Sequence, residues 1–209
     1  MAVRIKIVGE KNRLLPVSRE RKRVSAALAD RIVPAIQATL PGQLIPDHFP
    51  WCFVLPPFGK KGRFYVGALI NRDETCLLPA LYAAVSASWL QKELASNFHI
   101  AFWLARIMAA WQGQGEARDD SVLKRWLDLL TSHYSPLRGR LLNDSYKFSS
   151  HSALLLAGLC ECDETVTAEN GVDRMPWRGW PDNLQAGNRA WLWRQSRYGK
   201  IIDSQQIIW

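Results

Sequence analysis

Cysteine is scarce in this chain of 209 residues, and no segment has the pattern of a leader or a membrane anchor. Four cysteines are too few for a disulfide framework in a chain of this length. The first residues, MAVRIKIVGEKNR, contain no uninterrupted apolar segment, so they do not read as a signal peptide. The longest uncharged run, Thr75 to Gln91, is shorter than the ~20 apolar residues that span a bilayer. We therefore expect a reduced, cytoplasmic protein with no membrane span.

Catalytic and nucleotide-binding motifs are missing as well. There is no G-x-S-x-G nucleophile elbow and no Walker A loop. None of the four histidines has a carboxylate at an informative spacing. A buried or helix-capping role is the interpretation for His99, whereas His151 in a serine-rich turn and the His48/Cys52 pair leave a catalytic alternative open. The absence of motifs predicts a protein with no catalytic residue and no cofactor.

Metal binding has little support in the spacing of the remaining ligand types. Structural zinc sites use four ligands, usually in pairs such as C-x2-C. Here the closest pairs are Cys160-x-Cys162 and His48-x3-Cys52, and neither spacing is the usual one. Small buried thiols explain the cysteines equally well. We therefore predict no metal site, with Cys160 and Cys162 as the alternative to test.

The chain has enough apolar residues for one substantial core and an uneven distribution of charge. Hydrophobic residues make up 48%, and the net charge is +8. Residues 1–31 hold nine Lys/Arg against three Asp/Glu, residues 174–200 hold six against one, and residues 161–173 hold five acids and no base. This composition predicts a single domain over residues 1–209, with any subdivision near 161–173, and a basic surface suited to an anionic partner.

Apolar periodicity predicts an α+β fold that is mainly helical. An alternating pattern at Val3–Ile7 predicts an N-terminal strand, and the apolar runs 51–55 and 63–70 predict a hairpin. The isoleucines after residue 200 predict a C-terminal edge strand that could join the N-terminal strands. These strands would form a small antiparallel sheet packed on a helical bundle.

The bundle would consist of several helices with recognisable ends. Ser18 is a good N-cap for a helix that Pro34 kinks or ends. Pro79 to Ala95, Asn97 to Trp111, and the segment from Asp119–Ser121 to Thr131 predict three more. Two short helices are expected over Ala153–Cys160 and Asn188–Arg197.

Two regions carry candidate binding residues. Seven cations near the N-terminus and in the hairpin loop could contact a nucleic-acid backbone or an acidic protein: Arg19, Arg21, Lys22, Arg23, Lys60, Lys61 and Arg63. Six residues near the C-terminus interleave tryptophan with arginine: Trp177, Arg178, Trp180, Trp191, Trp193 and Arg194. Trp and Arg dominate protein interfaces and also grip single strands, but a tryptophan cluster can equally close one end of a core.

Three segments also support a family resemblance: Ser18–Arg23, the Pro56–Arg63 loop and Trp177–Arg194. As a short, basic, Trp-rich chain without a leader, the protein resembles the fertility-inhibition proteins of conjugative plasmids. The resemblance implies that it binds and blocks a component of another plasmid's DNA-transfer apparatus, such as the coupling ATPase. The first hypothesis is therefore a non-catalytic inhibitor with a protein partner, and the alternative is a nucleic-acid-binding module.

Overall fold

An antiparallel sheet forms the centre of the protein, which a computed structural model describes over residues 5–8, 18–38, 50–59, 62–70, 80–113, 120–133, 171–186, 188–196 and 199–209. The strands are β1 (Ile5–Val8), β2 (Trp51–Leu55), β3 (Phe64–Leu69), β4 (Ala80–Val85), β5 (Arg189–Gln195) and β6 (Ile201–Ile208). The helices are α1 (Arg19–Ala27), which continues through a π-helical turn (Leu28–Ile32) into α2 (Val33–Gln37), then α3 (Ala87–Leu94), α4 (Ile100–Gly113) and α5 (Asp120–His133). A 3₁₀ turn covers Asp182–Ala186.

The strands lie in the order β1-β4-β3-β2-β5-β6, and every neighbouring pair is antiparallel. The predicted hairpin is confirmed as β2 and β3, with Trp51 opposite Leu69. The predicted N-terminal strand is confirmed as β1 and the C-terminal edge strand as β6. Both strands belong to the same sheet as the hairpin, as the sequence predicts, and they lie at its opposite edges.

Helices cover both faces of the sheet. On one face, Val54 and Val66 belong to a core that includes α3, α4 and α5. On the other face, Phe53 packs in a second core with Val24 and Ile32 from the α1–α2 segment. Because both faces are covered, every residue of β2 and β3 is buried, which explains why the two strands are continuous apolar runs. Each large apolar side chain buried in this way contributes about 1.5–3 kcal/mol to the stability of the folded chain.

This layered arrangement confirms an α+β fold and corrects its details. The prediction of a mainly helical chain is not confirmed, since the sheet is the central layer. Packing on a helical bundle is not confirmed either, because the sheet separates α1–α2 from α3–α5. The helix expected over Ala153–Cys160 lies outside the described residues. Of the segment 161–173, only residues 171–173 are described.

Two predicted helices contain strands instead. The helix expected from Pro79 to Ala95 begins only at Ala87, where Ser86 Oγ accepts a hydrogen bond from Trp89 N at 3.3 Å. The residues before it form β4, which pairs with β3 on one side and β1 on the other. The helix expected over Asn188–Arg197 is β5, which pairs with β2 and β6. In both segments pairing on two sides outweighs a weak local helical preference.

Of the two outcomes that the sequence predicts for Pro34, a kink or the end of the helix, the end is wrong. The helix continues to Gln37 after a π-helical turn that precedes the proline. Val33 N donates to Leu28 O, five residues back, and Ala38 N donates to Pro34 O at 2.9 Å. π-Helical structure is rare and occurs mostly as single turns inside α-helices, as it does here. Ile32 and Ile36 consequently both face the sheet core.

Within the described residues, no helix is long and apolar enough to cross a membrane.

Candidate functional site

The N-terminal cations lie on the outer side of α1. Val24 and Leu28 face the sheet core, and Arg19, Lys22 and Arg23 are exposed. Residues spaced three and four apart share one side of a helix, so these three cations form a single ridge that points away from the sheet. The ridge therefore presents three positive charges to solvent over little more than one helical turn.

The start of α1 contains features that offset its own charge. Cations near a helix N-terminus oppose the helix dipole, which disfavours Arg19 and its neighbours there. Ser18 Oγ accepts a hydrogen bond from Arg21 N at 3.2 Å, and such an N-cap stabilises a helix by about 1 kcal/mol. Glu20 adds an acid in the first turn and pairs with Lys6 Nζ of β1 at 2.5 Å. The cap and this acid allow the helix to begin at Arg19 despite the cations.

Arg63 joins the same face from a distant part of the sequence. It precedes β3 and is exposed. Burial raises the pKa of Tyr65, the Glu20 carboxylate raises it further, and Arg23 and Arg63 both lower it. The charges of both guanidinium groups therefore act on one tyrosine hydroxyl, although the two residues are forty positions apart in the sequence. We call Arg19, Lys22, Arg23 and Arg63 the basic face.

Arg21 lies at the margin of the basic face and closer to the sheet. It is partly buried, and its charge lowers the pKa of the Tyr82 phenol, which burial and Glu20 raise. Lys60 and Lys61, the other predicted contacts in this region, lie outside the described residues. Five of the seven predicted cations therefore belong to the described structure, and four of them are exposed.

The C-terminal tryptophans form one cluster. Trp177 and Trp180 pack edge to face with ring centroids 4.9 Å apart. Trp180 also contacts Trp191 at 5.7 Å and Trp193 at 5.8 Å. Aromatic pairs in this geometry stabilise the fold by about 0.5–1.5 kcal/mol, in addition to the stabilisation that comes from burying their surface. The cluster joins the segment before β5 to the core on the α4 side of the sheet.

Burial separates the predicted partner-binding residues into two groups. Trp191 and Trp193 are almost fully buried, so they belong to the core and cannot touch a partner of the folded chain. Arg194 is also buried: its guanidinium lies 4.4 Å above the Trp51 ring, and its Nη2 donates to Asp203 Oδ2 at 2.8 Å. The prediction that these three residues bind a partner is corrected, because β5 lies between two strands with both of its faces covered.

Trp177, Arg178 and Trp180 remain accessible. Both tryptophans are half-buried and Arg178 is exposed. The turn that carries them is held by Asn183, whose Nδ2 donates to Arg178 O and whose N donates to Gly179 O at 2.9 Å. Gly179 has a φ of 71°, a conformation that favours glycine. Partner binding by these three residues stays a prediction.

A group of buried polar residues at the start of α4 has a structural explanation. His99 Nδ1 accepts a hydrogen bond from Phe102 N at 3.1 Å, and Glu93 Oε1 accepts one from Ile100 N at 2.9 Å. Burial lowers the pKa of His99 to about 3 and raises that of Glu93 to about 7. The interpretation of His99 as a buried, helix-capping histidine is confirmed. A neutral imidazole that caps a helix is not placed to activate a nucleophile.

Gln195 links this group to the end of β5. Its Oε1 accepts from Trp193 Nε1 at 2.8 Å, and its Nε2 donates to Asn97 O at 2.9 Å and to Gly199 O at 3.1 Å. One amide thus connects β5, the turn before β6 and the loop between α3 and α4. These bonds satisfy polar groups that would otherwise be costly to bury.

The described residues contain no cluster of His, Cys, Asp or Glu that could hold a metal. Cys52 lies in the middle of the sheet, and burial raises the pKa of its thiol, so it is not a reactive thiolate. His48, Cys160, Cys162 and His151 lie outside the described residues, and the metal and catalytic alternatives that involve them stay untested.

Comparison of the chain with family models, with curated proteins and with solved structures finds no match.

Proposed function

We propose that this protein is a non-catalytic binding protein that holds the phosphate backbone of a nucleic acid against its basic face. The observation that carries the proposal is the exposed ridge of α1, which holds three cations within five positions. The charges of Arg23 and Arg63 also act on the same hydroxyl, that of Tyr65. Several cations on one surface are the feature that phosphate backbones require, because each contact releases a counterion from the nucleic acid.

The chemistry of the face favours a nucleic acid over a protein surface. Stable protein interfaces usually have an apolar or aromatic centre from which charge is depleted. The large exposed apolar side chains among the described residues are Val172 and Ile208, and neither belongs to α1 or to the residues before β3. Glu20, the acid beside the ridge, is neutralised by Lys6. A face of cations without an apolar centre suits a regular array of phosphates.

The salt dependence of binding to a short DNA duplex and to a single strand tests this proposal. Each phosphate contact contributes about 0.9 to the slope of log K against log salt concentration for duplex DNA. Replacing Arg19, Lys22 and Arg23 by Gln should therefore reduce the slope by about 2–3, since glutamine retains helix propensity and removes the charge. Arg63→Gln alone should reduce it by about 1, although Arg63 lies outside α1.

A matched variant separates the basic face from net charge. Lys92, Lys124 and Arg125 are exposed on α3 and α5, on the other side of the sheet. Replacing these three by Gln removes the same charge and should leave the slope within about one unit of the wild-type value. Equal slopes for the two triple variants, or no binding above the non-specific range of about 10⁻⁴–10⁻⁶ M, would refute the proposal.

A second candidate function rests on the accessible part of the tryptophan cluster. Trp177 and Trp180 are half-buried beside the exposed Arg178, a combination common at the centre of protein interfaces. The resemblance to fertility-inhibition proteins would make the partner a component of a DNA-transfer apparatus, such as its coupling ATPase. In a donor cell, the protein should then lower the frequency of plasmid transfer, and Arg178→Ala should restore it. Unchanged transfer with the wild-type protein would eliminate this candidate.

A further inference from the structure

A row of three aromatic rings connects the basic face with the residue that follows β6. The ring centroids of Tyr65 and Phe58 are 4.9 Å apart, and those of Phe58 and Trp209 are 6.1 Å apart. All three rings belong to the core on the α1–α2 side of the sheet or pack against it. The charges of Arg23 and Arg63 act on Tyr65, so the row begins at the basic face.

Arg31 lies at the other end of this row, over the ring of Trp209. Its guanidinium carbon is 4.9 Å from the ring centroid, within the limit of about 6 Å for a cation–π contact. Arg31 belongs to the π-helical turn after α1 and is exposed, whereas Trp209 is half-buried. Trp209 N donates to Asn188 O at 2.6 Å, which holds the residue in place beside β5. The tryptophan ring therefore supports the side chain of an exposed arginine.

The charge of Arg31 adds to that of the basic face. None of the ion pairs among the described residues includes Arg31. It lies eight positions after Arg23 on the same continuous helical segment, about 12 Å further along at 1.5 Å per residue. A strand of nucleic acid that follows the cations of α1 therefore reaches Arg31 within a few nucleotides.

An arginine over an aromatic ring offers something that the cations of the basic face do not, which is a supported plane. Guanidinium planes and aromatic rings are the surfaces on which proteins stack unpaired bases. A lysine would supply the charge without the plane. In a duplex the flat faces of the bases are stacked inside the helix, so only an unpaired base can use such a plane.

We propose that the basic face and Arg31 together bind a single-stranded nucleic acid, with one base stacked on the guanidinium group of Arg31. The phosphates of the strand contact the basic face, and Trp209 supports Arg31 from the side opposite the base. This inference rests on the proposed function, since it assumes that the basic face holds phosphates. It adds that the ligand is unpaired and that a base contributes to its binding.

Binding of the full chain to single strands with and without bases tests this stacking. The probes are a dT strand, an rU strand of the same length and an abasic strand with the same number of phosphates. The wild-type protein should bind dT or rU at least about fivefold more tightly than the abasic strand, as expected for one stacked base. The strand that it binds more tightly identifies the ligand as DNA or RNA.

Arg31→Lys is the decisive variant, because it keeps the charge and removes the plane. It should reduce the preference for bases to less than about twofold and leave both the abasic strand and the salt slope unchanged. Trp209→Leu removes the supporting ring and should also reduce the preference. Circular dichroism establishes that Trp209→Leu is folded, and Arg31→Lys decides alone if it is not. Arg125→Lys, at an exposed position on α5, is the matched control and should retain the wild-type preference.

The outcomes separate the stacking from the proposed function. Equal affinity of the wild-type protein for the dT, rU and abasic strands overturns the stacking and leaves the basic face as a phosphate site. An Arg31→Lys variant that retains the wild-type preference overturns it as well. Binding of no strand above the non-specific range overturns both proposals, and an acidic protein segment is then the partner that these cations fit.

Discussion

Trp193→Ala should strongly destabilise the protein, because Trp193 is part of its core. The side chain has 0% exposure, and its ring contacts His99 with centroids 5.3 Å apart. Removing a buried tryptophan ring costs about 3–5 kcal/mol, counting both lost burial and the cavity that remains. The substitution also removes the Nε1 donor that Gln195 Oε1 accepts at 2.8 Å. A buried acceptor without its donor costs about 1–3 kcal/mol more when it finds no substitute.

A loss of this size is a large part of the stability of a typical domain, which is about 5–15 kcal/mol. For a chain of this length it corresponds to a fall in Tm of about 10 °C or more. Urea unfolding followed by tryptophan fluorescence and by circular dichroism measures the change in the free energy of unfolding. Trp193→Phe retains much of the buried ring and should be less damaging than Trp193→Ala.

Trp177→Ala provides the comparison, because Trp177 is half-buried in the same cluster. This substitution should lower the free energy of unfolding by less than about 2 kcal/mol, since much of the Trp177 side chain is already in contact with water. A Trp193→Ala variant within about 0.5 kcal/mol of the wild type would behave as a surface substitution. That result would refute the placement of β5 between β2 and β6.

Two further substitutions probe the buried glutamate and the sheet. Burial raises the pKa of Glu93 from 4.5 to about 7, so the folded carboxyl keeps its proton over a range in which the unfolded one loses it. Glu93 therefore lowers the free energy of unfolding as the pH rises from 4.5 to 7. The Glu93→Gln variant should lose less stability over this range than the wild type, by up to about 3 kcal/mol. A pH profile identical to the wild type would exclude a buried carboxyl. Gly67→Ala should destabilise by more than about 2 kcal/mol, since the added Cβ would lie 2.0 Å from Leu81 O. A fully stable variant would contradict the close approach of β3 and β4.

Local signals in the sequence were sufficient for features that depend on a few neighbouring residues. Ser18 caps α1 as its position predicts, because an N-cap requires only the next three residues. The runs over 51–55 and 63–70 form the predicted hairpin, since two apolar segments around a Pro- and Gly-containing loop have few alternatives. The capping role of His99 also follows from its place before an apolar helix.

Features that depend on distant residues required the tertiary structure. Ala80–Val85 contains alanine and leucine, which suit a helix, and it becomes a strand because β1 and β3 supply partners on both sides. The sequence of β5 contains Trp and Arg in a pattern that fits an interface as well as a core. Coverage of both faces of the sheet decided that Trp191 and Trp193 are buried.

The properties of the candidate site likewise divide into those that local sequence determines and those that depend on distant residues. The sequence by itself determined a dense group of cations at residues 19–23 and their likeness to a phosphate-binding surface, because charge is a property of residue type. Only the fold decided that Lys22 and Arg23 face solvent and that Arg21 is partly buried. It also decided that the charge of Arg21 acts on Tyr82 and those of Arg23 and Arg63 on Tyr65. The direction of a side chain depends on which side of its helix or strand is buried, and contacts between distant segments settle that.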